Sequence, residues 1–216
     1  MNFQNANEAF EWFYDLVLLQ PDRKNGTRSL FNQSFTILNP LDNLITSPFR
    51  KWKKSYADLE FEWYKTGDRN PAMVESVAKI WSAMKDENGF VNSNYGHWWL
   101  KNDQLSRVVK ILNEDNESRK AVVVHYDPND SQNYSKDTPC NMVLNFRIEG
   151  ERLHLSVFAR SIDLVYGFCN DQYCFSELFN HVRHDLTLLP GTIHYFITDL
   201  HVYKKHWEMK TNNKPN

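Results

Sequence analysis

Residues Thr138 to Asp163 read T-P-C-N-M-V-L-N-F-R-I-E-G-E-R-L-H-L-S-V-F-A-R-S-I-D. A cysteine after a proline opens a strand, and Met142, Leu144, Phe146 and Ile148 then fall on every second position, as one face of a half-buried strand requires. Glu149-Gly150 is a turn signal, and Leu153, Leu155 and Val157 make a second alternating run. If the two runs pair as a hairpin, Arg160-Ser161-Ile162-Asp163 arrives beside Cys140. A thiol, a guanidinium, a hydroxyl and a carboxylate then share one cleft, and an arginine near a thiol favours the reactive thiolate.

Working outward, the segment after Asp163 carries Gly167-Phe168-Cys169-Asn170-Asp171. It then continues with helical spacing through Tyr173, Cys174, Phe175, Leu178 and Phe179. Pro190-Gly191 reads as a turn. Ile193, Tyr195 and Ile197 alternate into a last strand that presents Asp199, His201 and Tyr203, the latter two on one face. Towards the N-terminus, Phe10, Phe13, Tyr14 and Val17 predict a helix over about 6–20, with Asn5 and Glu8 as a capping box. A basic loop follows at Asp22 to Arg28, then a strand over 29–38. Trp52, Tyr56, Leu59 and Trp63 predict a second helix ending near Gly67. Val74, Val77, Trp81 and Met84 predict a third, and Leu105, Val108, Val109 and Leu112 a fourth. Ala121 to Val124 reads as a short buried strand, and the polar stretch 127–137 as a loop.

Composition narrows the function classes. A net charge of -2 over 216 residues argues against a broad nucleic-acid or membrane surface. Three cysteines without C-x-x-C pairing, and no basic-then-apolar leader, suit free thiols in a reducing cytoplasm. No apolar run approaches the roughly 20 residues that span a bilayer. The histidines show no metal-ligand spacing, so no metal is expected.

Four motifs in order, Pro139-Cys140, Arg160 to Asp163, Gly167 to Asp171 and Asp199-x-His201-x-Tyr203, resemble those of the thymidylate synthase superfamily. The strings Asn92-Ser93-Asn94-Tyr95-Gly96, Gly167 to Asp171 and Leu200 to Tyr203 look like its phage deoxycytidylate hydroxymethylases in particular. The resemblance implies an α+β fold over residues 1–216: a mixed central sheet with helices on one face, the other face packing sheet-to-sheet into a homodimer with composite active sites.

The resemblance also assigns roles. Cys140 is the nucleophile and Glu60, within L-E-F-E-W-Y, the proton-transfer carboxylate. Arg160 and Ser161 bind the substrate phosphate, joined by Arg119 from the partner subunit, with Lys120 beside it where the family has a second arginine. Arg23 and Arg28 compete for the phosphate-gripping position in the basic loop. His201 and Tyr203 hold the deoxyribose, and Tyr95 lines the cleft. Asp171 reads the pyrimidine, the competing reading being that Asn170 does so while Asp171 caps the helix. Asp163 and Trp81 are placed at the folate.

The implied chemistry is thiolate addition at pyrimidine C6, which makes C5 nucleophilic toward 5,10-methylenetetrahydrofolate. Hydride then yields a methyl group and water a hydroxymethyl group. The favoured reading is deoxycytidylate (dCMP) hydroxymethylation. The alternatives are a dUMP hydroxymethylase or thymidylate synthase, and a nucleotide-binding homologue without turnover. The last arises because the chain stops about ten residues after His206, where the resemblance calls for a folate-closing C-terminal segment, here short or missing.

Overall fold

The computed structural model describes residues 1–127 and 136–212, so most of the loop expected over 127–137 lies outside the described residues. The hairpin forms where the alternation put it. Strands β4 (Asn141–Glu149) and β5 (Arg152–Ala159) pair antiparallel, with Leu144 opposite Val157 and Phe146 opposite Leu155. Strand β7 (Leu189–Tyr203) lies at the middle of the sheet, parallel to β5 and antiparallel to β2 (Thr27–Ile37). Strand β1 (Asn2–Phe3) extends the β2 edge and β3 (Val122–Val124) the β4 edge, while β6 (Ile162–Asp163) pairs with the C-terminal part of β7. The described residues thus form a seven-stranded mixed sheet, ordered β1-β2-β7-β5-β4-β3 with β6 off that path.

Period-2 alternation splits the sheet into two faces. Leu153, Leu155, Val157, Ile193, Tyr195, Ile197, Phe35 and Phe146 are buried on one. Helix α1 (Ala6–Leu18) packs there: Phe13 meets Phe35 at 4.7 Å between ring centroids, and Phe35 stacks on Tyr195 at 5.2 Å. Each such side chain contributes about 1.5–3 kcal/mol by leaving water. The other face stays partly open. Phe158 and Phe196 sit opposite each other in the β5–β7 register and stack at 4.8 Å, with Phe196 still 40% exposed.

Helix α1 opens as its sequence predicts. Asn5 accepts from the Glu8 N–H, and Glu8 reaches back to the Gln4 N–H. Helix α2 (Lys54–Thr66) ends on Gly67 in the left-handed conformation. Helix α6 (Gln104–Glu114) matches the fourth predicted helix. The third does not form as one piece. Residues 72–84 hold two short helices, α3 (Ala72–Glu75) and α4 (Ile80–Met84), because Val77 and Ile80 remain exposed and no buried stripe carries a continuous helix across them.

Pro190-Gly191 is not a turn. Both lie in β7, and the reversal is at Leu186–Leu188, with Thr187 at φ 57°. Gly191 is there because a Cβ would stand 2.2 Å from the Leu153 carbonyl, so only glycine lets β7 close on β5.

Candidate active site

Cys140 sits one residue before β4, half-buried, whereas Cys169 and Cys174 are fully buried inside α7 (Cys169–Asp185). The hairpin brings Arg160 to it as expected. Arg160 donates its backbone N–H to the Cys140 carbonyl at 3.0 Å, and Nη2 lies 3.7 Å from the sulfur. The guanidinium is held in place by the carbonyls of Thr138 (2.8 Å) and Pro139 (3.0 Å). Desolvation pushes the Cys140 thiol up to about 11, and the Arg160 charge pulls against it. At rest the thiol is protonated, so the thiolate expected from sequence is the form the arginine favours, not the resting form.

Glu60 is buried in α2, with Tyr56 and Tyr64 one turn away on either side. Both hydroxyls donate to Oε1, at 3.2 and 3.5 Å, and Oε2 has no partner. Burial, then the neighbouring Asp171 charge, raise its pKa to about 8. The sequence placed Glu60 at the edge of the apolar stripe; the tyrosines draw it fully inside. Trp81 donates its indole N–H to Tyr56 Oη at 2.9 Å and remains half-exposed.

Asp171 lies in the first turn of α7, its pKa raised by burial to about 7 although Asn141 Nδ2 donates to Oδ2 at 2.9 Å. It does not cap the helix. A π-helical turn (Leu164–Phe168) leads into α7, and Asp163 caps it, accepting from the Val165 and Tyr166 N–H groups. Asn170 accepts from the Trp52 indole at 2.7 Å. The capping alternative for Asp171 therefore fails, because the chain is already helical where Asp171 begins.

A polar line reaches Ser161, the chain neighbour of Arg160. Arg23 Nη1 donates to Asp199 Oδ2 at 2.6 Å, Asp199 Oδ1 lies 3.4 Å from His201 Nδ1, and Ser161 Oγ is 3.4 Å from the same nitrogen. The His201 and Tyr203 rings meet edge-on at 5.1 Å. An open concavity of about 440 Å³ lies at Asp22 to Asn25. Arg28 turns away: it donates to Asp22 and to the Leu18 carbonyl and stacks on Trp207. Arg119 and Lys120 are exposed, and no ion pair holds them among the described residues.

Tyr95 begins helix α5 (Tyr95–Leu100), capped by Asn94. Gly96 sets its approach, because a Cβ there would fall 1.5 Å from the Tyr64 carbonyl oxygen. That close packing carries the Tyr95 hydroxyl to Asn141 Nδ2 at 2.9 Å. Asn92 and Ser93 are fixed by the Asp137 carboxylate, three residues before Cys140.

Sequence reasoning missed Tyr56, Tyr64, Asp137, Asn141 and His125. The tyrosines had a signal, since both stand four residues from Glu60 and so share its helix face. Asp137 and His125 had none, because their partners are distant in the chain.

A mixed sheet sets a half-buried thiol beside a fixed guanidinium, with the Asp171 carboxyl close enough to act on the same thiol. The chain belongs to the thymidylate synthase family, which its residues 19–214 match. It is 29% identical over 181 residues to the deoxyuridylate hydroxymethyltransferase of Bacillus phage SP01, covering 76% of this chain and 47% of that one. It is 26% identical over 188 residues to the thymidylate synthase of Fusobacterium nucleatum, covering 84% and 68%. The chain thus spans about half the length of the first of these relatives. No helix among the described residues is long and apolar enough to cross a membrane.

Proposed function

We propose that the protein is a folate-dependent transferase that adds a hydroxymethyl group to C5 of dCMP through a Cys140 adduct at C6. The observation that carries this reading is Asp171, a half-buried residue whose carboxyl is held by Asn141. A carboxyl can accept from the cytosine amine while its protonated oxygen donates to N3; an ionised carboxylate offers uracil O4 only acceptors.

Cys140 adds its sulfur to C6 as a thiolate, favoured once substrate is bound by Arg160. Glu60, with its proton held to about pH 8, donates and recovers protons near the ring. Arg160, Ser161 and Arg23 bind the phosphate; Arg23 is preferred to Arg28 because it joins the Asp199–His201 line. His201 and Tyr203 hold the deoxyribose. The residues present also suit a folate: Trp81 keeps part of its indole open to packing, and Asp163 uses Oδ1 for the helix cap, leaving Oδ2 for a pterin amine. Methylenetetrahydrofolate supplies the one-carbon unit.

The half-open aromatic face of β5 and β7 supports a homodimer, and the exposed Arg119 supports a phosphate contact across it, with Lys120 adding charge without a bidentate fork. A second reading, dUMP as substrate, is favoured by the name of the Bacillus phage relative. The test is incubation with dCMP or dUMP plus methylenetetrahydrofolate, followed by mass analysis. Hydroxymethyl-dCMP is expected. A product from dUMP alone supports the second reading, and no product from either nucleotide overturns both.

A further inference from the structure

We propose that Asn141 is a second specificity-determining residue: its amide nitrogen fixes the Asp171 carboxyl, and its amide oxygen takes a hydrogen of the cytosine amine. The inference rests on the dCMP reading above. Asn141 follows Cys140 directly and is wholly buried. Its Nδ2 uses both hydrogens, donating to Asp171 Oδ2 and Tyr95 Oη at 2.9 Å each.

The backbone of Asn141 is pinned as well. Its N–H donates to Tyr95 Oη at 3.4 Å, and its carbonyl accepts from His125 Nδ1 at 3.1 Å. The tautomer of His125 follows from its other contact, since Nε2 accepts from the Trp99 indole at 3.1 Å and Nδ1 must carry the hydrogen. The Asp171 carboxyl and the Tyr95 hydroxyl, which also accepts from the Asn141 backbone N–H, both meet the NH2 end.

That orientation leaves Oδ1 of Asn141 buried with no hydrogen-bond partner. Buried acceptors without partners are uncommon in folded proteins. Cytosine carries two amine hydrogens, one for Asp171 and one left over. Uracil has an oxygen at that position, which would face Asp171 and Oδ1 as a third acceptor. The pair discriminates where Asp171 alone would be free to rotate.

The test is titration calorimetry of dCMP and dUMP with the full chain, for the wild type, Asn141→Ala and Asn141→Leu. Leucine repeats the heavy-atom branching of asparagine and leaves no cavity, so the test survives if the alanine variant does not fold. The wild type is expected to favour dCMP, and each variant to narrow the dCMP-to-dUMP affinity ratio about tenfold or more, mainly by weakening dCMP. A merely structural asparagine would weaken both nucleotides equally. That result, or an unchanged ratio, overturns the role of Asn141 and leaves the dCMP reading standing. A wild type that prefers dUMP overturns both.

Discussion

Arg160 holds Cys140 twice, by a backbone bond to its carbonyl at 3.0 Å and by a guanidinium nitrogen 3.7 Å from its sulfur. The first contact fixes the thiol in space, and the second is the charge that opposes its desolvation. Removing only the charge should raise the thiol pKa further. Arg160→Ala is therefore expected to slow iodoacetamide labelling of Cys140 about tenfold or more at a fixed pH, with the midpoint moved upward. The buried Cys169 and Cys174 should not label in the native protein. An unchanged pH profile for Arg160→Ala would show that the guanidinium does not act on the sulfur.

Glu60 gives a pH signature with a defined sign. Its folded-state pKa is raised to about 8 from an ordinary 4.5, so the folded protein keeps a proton that the unfolded chain releases. Its contribution to stability is full below pH 4.5 and is lost as pH rises through about 8. Asp171 acts in the same direction between 3.8 and about 7. Glu60→Gln removes the first of these. The variant should lose turnover, match the wild type in Tm near pH 4, and exceed it by about 2–4 °C or more at pH 9. An equal Tm difference at both pH values would contradict a buried, protonated Glu60.

The proposed composite site makes a separate prediction about Arg119. Cys140→Ser should abolish turnover while leaving nucleotide binding largely intact, and Arg119→Ala should weaken phosphate binding. In a heterodimer of the two, one site contains neither lesion. Mixing the two impaired variants under exchange conditions should therefore restore up to about a quarter of wild-type activity, half the molecules being heterodimers with one good site of two. A wild type that sediments as a monomer at micromolar concentration and is fully active would sink the composite site.

Much of this architecture was legible because two signals agreed. The strands β4 and β5 alternate over most of their length, with a register shift between Asn141 and Val143, and the Cys140-to-Arg160 spacing follows from their pairing. The helix α1 was legible from its spacing and cap together. Residues 72–84 misled because Val74, Val77, Trp81 and Met84 have helical spacing, yet the structure leaves Val77 outside the core. Pro190-Gly191 misled because the local turn preference is overridden by the close approach of β5. The carboxyl pair was half legible: Glu60 and Asp171 carried motif signals and Tyr56 and Tyr64 share the helix face of Glu60, but the Asn141 contacts to Asp171 and Tyr95 join residues far apart in the chain.

Asp171 carries the prediction on substrate choice. Its place in α7 is already helical, and Asp163 supplies the cap, so its carboxyl is free for another task. Its pKa of about 7 lets it pair with cytosine in either proton arrangement, the proton on its own oxygen or on N3. Against uracil the ionised form sets two acceptors together in a dry pocket, a mismatch of about 1–3 kcal/mol, or roughly tenfold to a hundredfold. An asparagine amide instead donates to uracil O4 and accepts from its N3–H, while its oxygen can still take the Asn141 hydrogen bond. Asp171→Asn is therefore expected to gain activity on dUMP and lose it on dCMP, read as kcat/KM for each nucleotide. Because a charge leaves a buried site, the variant should fold at least as stably above pH 7. If the ratio between the two nucleotides stays where it was, Asp171 does not read the base.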